Sequence, residues 1–177
     1  MWYEVGDVVC FIKPKGWDLI GRGINFFQTT AKDETKTQCY HVGMIVEEGN
    51  FASAAVISES RHRVINRPLS ISTYNREFKI YRLKPSLIGS QKQAIQEEAR
   101  KWEGRRYGYL KILLHALDWC LGGAYVFRRI CLFPNMPFCS YYIGKLFIAA
   151  GVDVGWPNPK QLQPDDIMDF FECQKTD

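Results

Sequence analysis

The chain has 177 residues, is 46% hydrophobic and 24% charged, and carries a net charge of +4. That is the ordinary profile of one globular domain (residues 1–177), long enough to bury a core without disulfide staples. The basic residues (Arg61, Arg63, Arg67, Arg105, Arg106, Arg128 and Arg129 among them) are scattered, which excludes the dense tract of a nucleic-acid binder. An anionic substrate or surface and plain solvated faces both explain them.

In chain order, Met1-Trp2-Tyr3-Glu4-Val5 has neither a basic start nor an apolar core, so no signal peptide is expected. The turn signal Gly6-Asp7 introduces a buried strand, Val8-Val9-Cys10-Phe11-Ile12. Trp17, Ile20, Ile24 and Phe27 fall at helical spacing, and the polar stretch Thr29 to Gln38 reads as an exposed loop. A hairpin follows: His41 to Val46 as one strand, Glu47-Glu48-Gly49-Asn50 as the turn, and a return strand through Val56-Ile57-Ser58-Glu59. Glu77 to Leu83 is a further strand. Ser90 with Gln93 reads as the capping box of a helix ending near Gly104. A second helix covers Tyr109 to Leu121, stopped by Gly122-Gly123. Pro137 precedes a helix beginning at Cys139 and stopped by Gly151, and Pro164-Asp165-Asp166 opens a last helix through Phe171. Strands gather in the first half and helices in the second, which predicts an α+β fold with a small antiparallel sheet packed by helices. The apolar region from Tyr107 to Phe133 is broken by Lys111, His115, Asp118, Arg128 and Arg129, so it does not read as a transmembrane segment of about 20 residues.

Six cysteines lie at 10, 39, 120, 131, 139 and 173. No pair has the two-residue gap of a zinc knuckle or redox dithiol, so no metal and no cofactor are expected. Free thiols suit a reducing compartment, and a cytoplasmic location is the expectation; export by another route or in a virion stays open. Cys139 stands out because a helix start favours an anion, and thiolate is the form that attacks carbon.

A nucleophile needs a base, and there are three histidines. His115 lies inside an apolar helix, where a core or groove role fits. His62 sits in Arg61-His62-Arg63, whose charges would hold its pKa down. His41 begins a strand directly after a polar loop, rigidly placed yet reachable. Glu59, at the end of the return strand, is placed to orient it; a surface pairing with Arg61 or Arg63 is the alternative.

The order of these features resembles the circularly permuted papain-fold hydrolases of the NlpC-like clan, specifically the YiiX/YebB-like group. The similar pieces are Val5-Gly6-Asp7-Val8-Val9, Tyr40-His41-Val42-Gly43-Met44-Ile45-Val46, Val56-Ile57-Ser58-Glu59-Ser60, Glu103-Gly104-Arg105-Arg106-Tyr107-Gly108-Tyr109, Phe138-Cys139-Ser140 and Gln163-Pro164-Asp165-Asp166-Ile167. The resemblance implies a permuted papain-like fold, with Cys139 as nucleophile, His41 as base and Glu59 as its orienting residue. It also implies a substrate-wall role for Tyr107, for which core packing is the alternative, and Tyr40 is a further substrate-binding candidate. Cys139-Ser140-Tyr141 departs from the Cys-Ser-Glu common in the family, and the insert from Cys120 to Phe133 looks particular to this chain.

The resulting expectation is a thiol hydrolase cleaving an amide bond in a peptide, peptidoglycan or a lipid amide, with peripheral contact to a cell wall or membrane possible and no nucleic acid. Two alternatives remain. One is an acyltransferase or thioesterase resembling the lecithin:retinol acyltransferase relatives, although their Asn-Cys-Glu-His run is missing here. The other is a non-catalytic structural or binding module of the same fold.

Overall fold

The computed structural model describes residues 2–12, 39–108, 137–156 and 162–174. The expected helix at residues 17–27, the loop at 29–38, the helix at 109–121 with His115, and the insert at 120–133 lie outside the described residues.

Five short runs make one antiparallel sheet: β1 (Val8–Phe11), β2 (His41–Glu47), β3 (Val56–Ser60), β4 (Val64–Pro68) and β5 (Phe78–Tyr81), in the order β4-β3-β2-β1-β5. Its middle strands are apolar on both faces because both faces are covered. Gly6, at φ +94°, makes the turn that leads into β1, where the Asp7 N–H bonds the Glu4 carbonyl at 3.1 Å. A Cβ there would meet Leu87 Cδ1 at 2.3 Å, so only glycine fits.

Side-chain alternation divides the sheet. On one face Val8, Cys10, Val42 and Met44 join the main core, together with α2 (Gly89–Trp102), α3 (Cys139–Ala149) and α4 (Pro164–Cys173). On the other, Val9, Phe11, Ile45 and Ile57 pack against Leu69 of the short helix α1 (Leu69–Thr73). α2 and α3 lie against one another and against β2. The buried Tyr142 hydroxyl and Ser58 Oγ bond at 2.7 Å, which joins α3 to β3 and spares both groups an unpartnered burial.

The α+β class and small antiparallel sheet are as expected. Strand β4 and helix α1 were not anticipated: β4 holds apolar Val64 and Ile65 beside polar Asn66 and Arg67, a weak strand signature. The cap of α2 also differs. Ile88, not Ser90, precedes the helix, and the Ile88 N–H donates to Gln91 Oε1 at 3.1 Å while Ser90 lies inside the first turn. Gly151, at φ +65°, follows α3 as expected, and its N–H bonds the Ile148 carbonyl at 3.0 Å. No helix among the described residues is long and apolar enough to cross a membrane.

Candidate active site

Cys139 is the first residue of α3, preceded by Phe138 in an extended conformation (φ −103°, ψ 165°). The residue is buried, 2% exposed. The segment before it is stitched in place by backbone bonds: Gly108 N–H to the Pro137 carbonyl at 3.0 Å, and Tyr107 N–H to the His62 carbonyl at 3.0 Å. Ser60 Oγ donates to the same Pro137 carbonyl at 3.2 Å. The helix start is thereby fixed against the ends of β3 and β4.

His41 opens β2 opposite Phe11 of β1. Its ring is buried, 5.4 Å from the Phe11 ring; Nε2 hydrogen-bonds Glu59 at 2.8 Å, and Cys139 is close enough to raise the ring's pKa. Burial, the largest influence, pushes its pKa down; the bonds to Cys139 and Glu59 outweigh it, so the net direction is up, with Arg61 opposing.

Glu59 lies at the end of β3, fully buried. A lone buried carboxylate would be driven neutral. This one is surrounded by donors. Oε2 accepts from His41 Nε2 at 2.8 Å and Arg61 Nε at 2.7 Å; Oε1 accepts from Arg67 Nε at 2.8 Å, Arg67 Nη2 and Ser72 Oγ at 2.8 Å. Although burial is the largest influence and works upward, His41, Arg61 and Arg67 together hold its pKa well below the usual carboxylate range. An ionised carboxylate only accepts, so the proton at the 2.8 Å contact sits on His41 Nε2. Nδ1 is the ring nitrogen that Glu59 does not engage.

The remaining sequence candidates are both close. The Tyr107 hydroxyl points at Cys139 Sγ from 3.9 Å, and the ring is buried. Tyr40 is buried with its ring 6.4 Å from that of His41. Arg61 was anticipated as a partner of Glu59, but the second cation is Arg67 rather than Arg63, because the β3–β4 register sets Arg67 opposite Ile57, next to Glu59 on the same face. Ser72 and Asp165 were missed. Asp165, buried at the start of α4, accepts the Cys39 N–H at 3.1 Å across 126 positions of sequence, two residues before His41. Its only sequence signal was the acidic pair that a helix start favours.

No protein-family model and no curated protein matches the chain. Among solved structures, the chain is similar to the crystal structure of the metalloprotein YiiX from Escherichia coli O157:H7, with a TM-score of 0.56 at 18% identity over 86% of this chain and 69% of that one. The fold is therefore YiiX-like. A metal does not fit the residues around Cys139: among the described residues no group of three His, Cys, Asp or Glu side chains is arranged to hold an ion. Both oxygens of Glu59 also face guanidinium or hydroxyl donors, which a cation would have to displace.

Proposed function

We propose that this chain is a thiol hydrolase of the permuted papain-like type, acting on an amide or ester carbonyl. The observation that carries the reading is the order Glu59–His41–Cys139, in which an ionised, clamped carboxylate fixes the Nε2–H tautomer and leaves Nδ1 for the thiol. The Cys139 proton passes to Nδ1, and the thiolate attacks the carbonyl carbon to form a carbon–sulfur bond. The resulting oxyanion has the Cys139 backbone N–H at the helix start as a donor. Collapse expels the amine or alcohol, which takes the proton from His41, and water then hydrolyses the acyl-enzyme. Peptide, peptidoglycan and lipid amides all offer the required carbonyl, and a reducing compartment such as the cytoplasm would keep the thiol active.

The test is site-resolved alkylation with iodoacetamide, followed by mass spectrometry. Cys10 and Cys39 are buried, and burial pushes the Cys39 thiol pKa well up, so both should react slowly; exposed Cys173 is the internal standard. Cys139 should react faster than Cys173 despite its burial, and His41→Ala should slow it by on the order of 100-fold while leaving Cys173 unchanged. A Cys139 no faster than Cys173, or indifferent to His41→Ala, would overturn the reading.

A further inference from the structure

Behind Glu59, on the face of the sheet that carries His41, lies a cleft of about 390 Å³. Register places it there: Ile65 pairs with Glu59 and Arg67 with Ile57, so both point to the same side as Glu59 and, through its pair Gly43, as His41. Four arginines line it: Arg61, Arg63, Arg67 and Arg76. Glu59 is the carboxylate that these guanidiniums reach among the described residues, and it bonds Arg61 and Arg67 alone while also serving His41. Neither Arg63 nor Arg76 forms an ion pair with a described residue.

The cluster is also short of acceptors. Arg61 Nη2 and Arg76 Nη1 are buried without a hydrogen-bond partner among the described residues. Both guanidiniums sit over the Phe11 ring, at 5.4 and 5.7 Å from its centre, and Phe11 in turn packs against His41. Holding four like charges together in this way costs free energy that solvent alone repays poorly. A planar guanidinium presents paired donors that match phosphate and carboxylate oxygens. Four guanidiniums against one shared carboxylate favour a dianion over a monoanion. The volume lies within the range of small-molecule sites and is far larger than a bare ion needs. The rest of the lining is His62 together with Ile65, Ile71 and Tyr74, the last two largely exposed.

We propose that this arginine-lined cleft binds the phosphate group of an organic phosphoester, anchoring the substrate whose carbonyl is presented to Cys139. Binding of the phosphate stands on the cleft itself; its use as a substrate anchor rests on the thiol-hydrolase reading. Arg63 and Arg76 supply uncommitted charge, Arg61 contributes the guanidinium edge not used by Glu59, and Ile71 and Tyr74 flank the organic part.

The experiment uses the full chain carrying Cys139→Ala, so binding is read without any chemistry at the thiol. Phenyl phosphate is titrated by calorimetry, with benzoate as the monoanionic control, and the double variant Arg63→Ala/Arg76→Ala is compared; neither of these arginines bonds Glu59. Saturable binding of phenyl phosphate in preference to benzoate is expected, weakened roughly tenfold to a hundredfold in the double variant, as loss of charge-assisted hydrogen bonds implies. Sedimentation with phosphatidylcholine vesicles, with and without phosphatidic acid, separates the sources. Retention that needs both phosphatidic acid and the two arginines assigns the phosphate to a lipid, and binding of phenyl phosphate without such retention assigns it to a soluble ester. Absence of both, equal binding of benzoate, or affinity unchanged in the double variant overturns the proposal. Failure here leaves the Cys139 alkylation result standing, and failure there leaves this titration standing. If both hold, saturating phenyl phosphate should slow Cys139 alkylation in the otherwise unaltered chain; no effect would overturn the substrate-anchor role alone.

Discussion

Glu59 reaches His41 along a diagonal of the sheet rather than straight across it. The residue paired with Glu59 is Gly43, and His41 lies two positions earlier on the same strand. Diagonal neighbours stand roughly 7–8 Å apart at the backbone, so the carboxylate must extend along the strand to make its 2.8 Å contact. Gly43 has no side chain to stand in that lane.

Gly43→Ala should therefore damage the site as well as the fold. A Cβ at Gly43 would lie 2.6 Å from Ile57 Cδ1 and 3.2 Å from the Ser58 carbonyl oxygen. Overpacking of this kind costs about 1–3 kcal/mol. Urea unfolding should show that loss, and Cys139 alkylation should slow with it; an alanine variant of unchanged stability and reactivity would contradict the account.

The titration of His41 is the second test. Its pKa lies above the ordinary imidazole value because Cys139 and Glu59 outweigh burial. Glu59→Gln removes the carboxylate charge and leaves Cys139 alone to oppose burial and Arg61, which both act downward. The imidazole NMR signals of His41, assigned with His62→Gln and His115→Gln, should titrate at lower pH in Glu59→Gln than in the unaltered chain. A shift in the other direction would show that Glu59 does not hold the imidazolium.

Glu59 also governs acid stability. Its carboxyl pKa is depressed on folding, so its contribution is present above the unfolded value of about 4.3 and is lost as the pH falls through the lower folded value. At neutral pH Glu59→Gln should cost about 3 kcal/mol, because Arg61 and Arg67 lose their buried counter-charge. Denaturant titrations should show the gap between the two proteins closing only well below the ordinary carboxylate range. A gap that closes near pH 4 would mean that Glu59 is not clamped. His41 carries the opposite sign: with its folded pKa raised, its contribution is full below about 6.5 and fades as the pH rises through the folded value.

Asp165 is a positioning residue. Asp165→Ala leaves the buried Cys39 N–H without its 3.1 Å partner and should lower stability by about 1–3 kcal/mol. Because Cys39 sits two residues before His41, Cys139 alkylation should slow too. Asp165→Asn keeps the accepting oxygen and should restore most of the alkylation rate, a rescue that a charge effect would not produce.

How much of this was legible in the sequence depended on range. The runs that became β1, β2, β3 and β5 are bounded by local turn signals, and the helix starts at Cys139 and Pro164 announce themselves within a few residues. β4 was not legible because its Asn66, Arg67 and Pro68 dilute the strand pattern, and the cap at Ile88 lacks the usual polar side chain. In the site, Cys139, His41 and Glu59 were each readable from position and order. The Arg67 and Ser72 contacts were not, because they depend on the β3–β4 register and on a five-residue helix. Asp165 was the least accessible, since a hydrogen bond spanning 126 positions leaves no local pattern.

That same bond orders events during synthesis. A ribosome releases the chain from its N-terminus, so the strand bearing His41 emerges long before Asp165 does. The nascent protein can pair β1 with β2 early, yet the segment entering β2 lacks its final backbone partner until the C-terminal helix docks. A chain cut short before α4 would therefore carry Cys139 without a fully seated His41. Assembly of the Glu59–His41–Cys139 arrangement is in this way postponed until α4 has been made.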